Sequence, residues 1–542
     1  MSLADFELPA DAIRRIVAHD GALFSNDPAV AAEASSFMGW THLAEQAADI
    51  LPEIEDLAAE VRAEKLTDVV LLGMGGSSLA ALVIGSVLGP GSPRFHVLDT
   101  VAPVTIEKTL AETDPATTLH LVCSKSGGTI EPNALYAIFR NRADEVLGHE
   151  AAGLRFVALT DPGSSLEHLA EEQFMRACIA TPPEVGGRYS ALSAFGLVPA
   201  AVLGIDVRAL VESALEMERE FTQGDGDLLL AKTLAAAHAR GADKLTILAP
   251  PRLRVFGLWI EQLVAESLGK HGKGIVPIVD LAEREDVGAN ELRCMLSRSG
   301  RLYADGSAGE GETLRYSLQL HDPHELGAWF VLWEYSVALA GSTMGLDPFN
   351  QPNVAEAKAA TNAVLDGSLK APAPQGEGHG VRMTFAGGFP KAHTAARFAT
   401  TALARAFTSR EEGDYIALLA YLPDDDRILA PLRETVAAVA RHLQTPICLE
   451  LGPRYLHSTG QLHKGGRNNG LFVMLTTRDE TDIEIPGWPF GLRDLHIAQA
   501  EGDLTALAAH GRRVLRLDLP DAEPETIEDF CTVLLEAGEL GA

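Results

Sequence analysis

Short runs of aliphatic and β-branched residues alternate along the chain with helix-length amphipathic segments, which is the pattern of parallel strands joined by crossover helices. The first runs fall at residues 69–72, 95–98, 119–123 and 156–160, with enough chain between them for a helix each. They predict one doubly wound domain over 41–205, behind a helical lead over 1–40. A helical stretch around 211–221, strands at 244–249 and 275–279, and the long apolar helix HELGAWFVLWEYSVALAG predict a second α/β domain over 206–369. The Pro- and Gly-rich KAPAPQGEGHG, 370–380, reads as a linker. Strands at 381–385, 415–421, 447–451 and 471–475 then predict a third α/β unit over 381–542. No short-period repeat or low-complexity tract interrupts this plan.

Length agrees with several cores. A chain of 542 residues exceeds one hydrophobic core, since domains usually run to roughly 100–200 residues. With 46% hydrophobic and 22% charged residues it falls in the globular class. The net charge of −31 repels phosphate backbones and anionic lipid, so neither nucleic acid nor membrane is an expected partner. A small anion still fits where helix N-termini and a few cations reverse the potential locally.

Cys123, Cys178, Cys294, Cys448 and Cys531 are scattered and form no C-x-x-C pair, which fits a reducing compartment and no zinc or dithiol site. MSLADFELPADAIRRIVAHD lacks a basic region followed by an apolar one, and the longest strongly apolar stretch, 79–88, is far short of the ~20 residues that span a bilayer. A cytoplasmic location is expected. His321 and His324 have no evident third ligand, and no metal or organic cofactor is expected.

The candidate chemistry sits at strand-to-helix turns. VVLLGMGGSSLAALVIG places a Gly/Ser turn where first-turn N–H groups face the crevice at the strand ends, a position that suits phosphate. Gly73 and Gly75, with Asp99 ending the next strand, also sketch a dinucleotide site. That sketch is incomplete, because Ser78 or a neighbour stands where a third glycine belongs. LHLVCSKSGGTIEPNALYAIF repeats the architecture with Ser124, Lys125, Ser126 and Thr129 in the turn. Capping a helix needs one hydroxyl, and this loop offers three beside a lysine. In WIEQLVAESLGKHGKG, Gln262 and Glu266 share a helix face beside Trp259 and Leu263, the setting in which a carboxylate serves as a general base. GGRYSALSAFG puts Arg188 among small residues, where a guanidinium could face a cavity and an anionic intermediate.

In chain order, GMGGSS, SKSGGT, GGRYSALSAFG, ESLGKHGKGI and FNQPNVAEAK resemble the phosphoglucose isomerase family, and the likeness covers roughly 40–365. The tail from Val381 resembles the isomerase half of bacterial transaldolase–phosphoglucose isomerase fusions. The resemblance implies an α/β fold of two doubly wound, parallel-sheet SIS (flavodoxin-like) domains plus a C-terminal α/β unit. It also implies a homodimer that needs no cofactor and interconverts glucose 6-phosphate and fructose 6-phosphate. On that likeness Ser77, Ser124, Lys125, Ser126 and Thr129 match phosphate-binding loops and Gln262 matches a substrate contact. Glu266 matches the base that carries a proton from C2 to C1 through a cis-enediol, and Arg188 the group that stabilises it. Lys358 matches a ring-opening lysine, although Asn353 and Ala355 depart from the common pattern around it.

The family's ring-opening histidine follows the glutamate segment in an LHS-x-GQ motif; here VDLAEREDVGANELRC has none, and the motif reappears as LHSTGQ at 456–461. His457 is therefore assigned to ring opening, with His463 as the fallback. Two other readings remain open: dual action on mannose 6-phosphate, and a non-catalytic sugar-phosphate-binding SIS protein, because fold alone does not give activity.

Overall fold

The computed structural model describes residues 6–89, 92–224, 226, 228–280, 291–297, 313–370, 372–389, 396–478 and 481–542. The chain divides into two compact units, the first made of Met1–Asp99, Thr109–Leu268 and Ala289–Gln351, the second of Thr100–Lys108, Gly269–Gly288 and Pro352–Ala542.

In the first unit, β1 (Asp68–Gly73), β2 (Arg94–Leu98), β3 (Thr118–Cys123), β4 (Phe156–Thr160) and β5 (Ala177–Ala180) form an all-parallel sheet in the order β2-β1-β3-β4-β5. Every residue of β1, β3 and β4 is buried, which is why these segments read as continuous apolar runs rather than alternating ones. The order reverses between β1 and β3, and such a switch point opens a crevice beyond the carboxyl ends of the two strands. The register ends with Gly73 opposite Cys123, so the turns that follow β1 and β3 leave the sheet side by side.

A further parallel set in this unit has β8 (Glu291–Ser297) between β6 (Lys244–Leu248) and β9 (Leu314–Gln319), while β7 (Val276–Asp280) belongs to the second unit. The helix Arg254–Leu268 is buried on nearly every side, its polar Glu261, Gln262, Glu266 and Ser267 included. The expected long helix runs over Leu326–Met344 and ends at Gly345, which takes the left-handed conformation (φ +63°).

The second unit holds a mixed sheet. Its strands β10 (Gly376–Gly378), β11 (Val381–Gly387), β12 (Tyr415–Ala420), β13 (Ile447–Leu451), β14 (Gly470–Thr477) and β15 (Arg513–Leu519) lie in the order β10-β11-β15-β14-β12-β13. β11 runs antiparallel to both its neighbours and the remaining pairs are parallel. The Pro- and Gly-rich segment read as a linker thus contributes a three-residue edge strand, β10. Helix Asp426–Leu443 shows how sequence builds this unit. Asp425 caps it by accepting from Arg427 N, and Ile428, Leu429, Leu432, Val436, Val439, Ala440 and Leu443 supply one apolar face. That face joins Leu418, Val473, Leu515 and Leu534 in a continuous core.

The fold is therefore mixed α/β with parallel sheets, as the strand and helix pattern predicted. Among the described residues no helix is long and apolar enough to cross a membrane.

Candidate active site

The crevice at the switch point is lined by turns whose shape glycine permits. After β1, Gly75 adopts φ +55° and Gly75–Ser77 form a single tight turn before the helix Leu79–Leu88. Gly76 has no room for a side chain, because an added Cβ would lie 2.1 Å from Gly187 O. The GGR turn, Gly187–Tyr189, is thereby pressed directly against the GMGGSS turn. Ser78 Oγ donates to Gly75 O, whereas the Ser77 hydroxyl makes no hydrogen bond among the described residues.

After β3, Ser124 Oγ donates to Thr129 Oγ1 at 3.1 Å and Ser126 Oγ accepts from Gly128 N at 3.3 Å. Thr129 occupies the N-cap position of helix Ile130–Leu147 without a side-chain cap, which leaves its hydroxyl at the loop. Lys125 does something different. Its Nζ donates to Asp161 Oδ2 at 2.5 Å, Pro183 O at 3.1 Å and Pro182 O at 3.2 Å.

The buried helix Arg254–Leu268 packs against both the Gly75–Ser77 and Gly187–Tyr189 turns. Glu266 is 8% exposed and Arg188 2%. Arg188 Nη1 lies 3.0 Å from Glu266 Oε1, and Gln262 Nε2 donates to Glu266 Oε2 at 3.3 Å. The i, i+4 spacing read from sequence thus places Gln262 beside the carboxylate. Arg188 is held from behind by Gln351 Oε1 at 3.1 Å, Asn350 O at 3.0 Å and Phe349 O. Its Nε has no partner among the described residues. Tyr189, the residue after Arg188, stacks on Trp40 at 5.0 Å and its hydroxyl meets Ser267 Oγ at 3.3 Å, which anchors the turn that carries the arginine.

Glu266, Gln262, Arg188, Ser77, Ser124, Lys125, Ser126 and Thr129 all belong to the first unit, and Lys358 and His457 to the second. Lys358 is exposed on helix Val354–Leu365, which packs against the turn Arg454–His457. His457 is half-buried in that turn. His463 is fully buried, with Nδ1 3.0 Å from Tyr415 Oη and Nε2 2.9 Å from Glu450 Oε2. Both its ring nitrogens are committed inside the second unit.

Sequence reading missed several supports. Gln461, in LHSTGQ, donates to Gly269 O at 3.0 Å and Asn353 Oδ1 at 2.8 Å and accepts from Asn353 N at 2.9 Å. The amide of Asn353, unusual at its place in FNQPNVAEAK, therefore has a specific partner. Gln351 lies in the same motif, three residues upstream of the lysine helix, and nothing but the motif marked it. Asp161 carried no signal at all. Among the described residues no group of three His, Cys, Asp or Glu side chains could hold a metal ion.

Fold and site together define an α/β protein that sets hydroxyl-rich turns at the carboxyl edge of a parallel sheet, the usual place for a small ligand, beside a buried carboxylate–guanidinium pair. A family model described as phosphoglucose isomerase matches residues 46–277, a span containing every first-unit candidate. Glucose-6-phosphate isomerase of Rubrobacter xylanophilus is 29% identical over 368 residues, 57% of this chain and 84% of that protein. The Parabacteroides distasonis enzyme of the same name is 34% identical over 270 residues, 46% of this chain and 59% of its own. Among solved structures, a glucose-6-phosphate isomerase from Chlamydia trachomatis aligns with TM-score 0.49 at 20% identity, over 66% of this chain and 79% of that one. Over residues 46–277 the chain is thus similar to the phosphoglucose isomerase family, and the relatives it matches carry the name of an isomerase.

Proposed function

We propose that the protein interconverts glucose 6-phosphate and fructose 6-phosphate as a cytoplasmic homodimer. The carrying observation is the Arg188–Glu266 contact at 3.0 Å, nearly closed to water, with Gln262 alongside. In an aldose–ketose isomerisation the hydrogen removed from C2 and the oxygen that becomes anionic sit on adjacent carbons. Base and anion-stabilising cation must therefore lie next to one another, as these two side chains do.

In this reading the hydroxyls of Ser77, Ser124, Ser126 and Thr129, with the loop N–H groups, hold the phosphate. Glu266 then takes the C2 proton of the opened aldose, the bonding pair forms the C1–C2 double bond of the cis-enediol, and Arg188 faces the charge on oxygen. Returning the proton to C1, while the O2 hydroxyl proton passes to O1 and C2 becomes the carbonyl, gives the ketose. Ring opening falls to His457 and Lys358. The test is a coupled assay of fructose 6-phosphate conversion with EDTA present. Near-wild-type turnover by Glu266→Gln would sink the assignment of the base, and saturable binding without turnover by the wild type would favour a sugar-phosphate-binding protein.

A further inference from the structure

Lys125 stands in the hydroxyl-rich loop after β3, where a cation is naturally taken for a phosphate ligand. We infer instead that Lys125 and Asp161 form an internal bracket that positions Arg188, leaving phosphate to hydroxyls and backbone N–H groups. The inference rests on the isomerase reading for its consequences in catalysis, but its geometry stands apart from it.

An ammonium has three N–H donors. Those of Lys125 find three acceptors: Asp161 Oδ2 at 2.5 Å, Pro183 O at 3.1 Å and Pro182 O at 3.2 Å. The other carboxylate oxygen of Asp161 accepts from Thr181 Oγ1. The main chain repeats the link, since Lys125 O accepts from Asp161 N at 3.1 Å and Thr160 Oγ1 at 3.2 Å. Residues 125, 161 and 181–183 are the exits of the adjacent strands β3, β4 and β5, so one ammonium ties three strand ends together.

The tie leads directly to the site. Pro182 and Pro183, whose fixed φ makes the segment stiff, are followed by Val185, bridged to Met38, and then by Gly187, whose carbonyl abuts Gly76. Arg188 is next. A lysine whose charge is paired with Asp161 and whose donors are all engaged adds little field at the hydroxyls. Withdrawing it to meet a phosphate would leave Asp161 and two carbonyls short of a donor, in a partly buried setting where that loss is costly.

The two roles predict opposite signs. Lys125→Met, Asp161→Asn and the double variant are compared for fructose 6-phosphate turnover, for binding of inorganic phosphate by calorimetry, and for the midpoint of urea unfolding. For a bracket, each single change lowers kcat about tenfold or more through displacement of Arg188, while KM and the phosphate Kd stay within about threefold. The double variant then loses no more kcat or midpoint than the worse single one. For a phosphate ligand, Lys125→Met weakens phosphate about tenfold and Asp161→Asn, which removes a nearby negative charge, tightens it. That pair of results, or additive losses in the midpoint, overturns the bracket. If the wild type does not turn over fructose 6-phosphate, the isomerase reading fails, and the urea cycle with the phosphate titration still decides the bracket.

Discussion

Arg188 and Glu266 meet through Nη1 and Oε1 at 3.0 Å, and the guanidinium is pinned on its far side by Gln351 and the carbonyls of Phe349 and Asn350. Glu266→Gln keeps an acceptor for Arg188 and removes the basic oxygen. Its expected effect is a fall in kcat of roughly 10²–10⁴, the usual contribution of a positioned base, with KM nearly unchanged. Glu266→Ala is expected to cost about 3–5 kcal/mol of stability as well, because it strands a buried cation. Steady-state kinetics and urea unfolding on both variants separate the two effects.

Gly76 faces the backbone of Gly187, and an added Cβ would lie 2.1 Å from its carbonyl oxygen and 2.3 Å from its carbonyl carbon. Backbone cannot yield as a side-chain tip can, so Gly76→Ala must push the GGR turn away. The expected outcome is a loss of about 1–3 kcal/mol in urea unfolding, typical of overpacking, together with a fall in kcat as Arg188 shifts. Gly186→Ala is the control, since nothing lies within 4 Å of its added Cβ.

Buried parallel strands were legible because both faces are covered: 69–72, 119–123 and 156–160 each lie within an observed strand. Strands carrying internal charge were not. β8 reads ELRCMLS, and its buried Glu291 and Arg293 broke the apolar run, although Thr246 Oγ1 donates to Glu291. β15, RVLRLDL, alternates Leu with the charged Arg516 and Asp518, which pair with each other on the same strand. In the site, residues at fixed spacing on one element were readable, as Gln262 and Glu266 show. Supports fixed only by folding were invisible: Asp161 comes from the end of another strand, and the carbonyls of residues 182–183 and 349–350 have no side-chain signature.

His457 and His463, six residues apart, differ in burial, the first half-buried and the second buried. His463 lies between Tyr415 and Glu450, and Glu450 has its carboxyl held below the usual range despite burial, by the charge and hydrogen bond of His463 and by Thr459. His463→Ala is expected to lower stability by about 3 kcal/mol or more by leaving a buried carboxylate short of its partner. His457→Ala is expected to change the free energy of urea unfolding by about 0.5 kcal/mol or less, as a substitution outside the core does. Its turnover should drop more on ring-closed sugar phosphate than on an open-chain analogue. Equal losses on the two substrates would remove His457 from ring opening.

Glu218, on helix Val207–Gln223, accepts a hydrogen bond from Ala44 N at 2.7 Å at the start of helix Leu43–Ala63, and is 5% exposed. Burial raises its pKa from 4.5 to about 7, and the charge of nearby Glu45 adds to that rise. The native state therefore keeps a proton that the unfolded chain has already released. Between about pH 4.5 and 7 the unfolded state binds fewer protons than the native one, so stability falls as pH rises. This stabilisation is complete below the unfolded pKa and is lost as pH climbs through the folded one, a difference of about 3 kcal/mol at most. Glu218→Gln keeps an acceptor for Ala44 N–H and cannot ionise. Urea unfolding at pH 5 should find the variant close to wild type, and at pH 8 it should find the variant more stable by about 2–3 kcal/mol. Parallel pH profiles for the two proteins would mean that Glu218 ionises in the fold as it does in water.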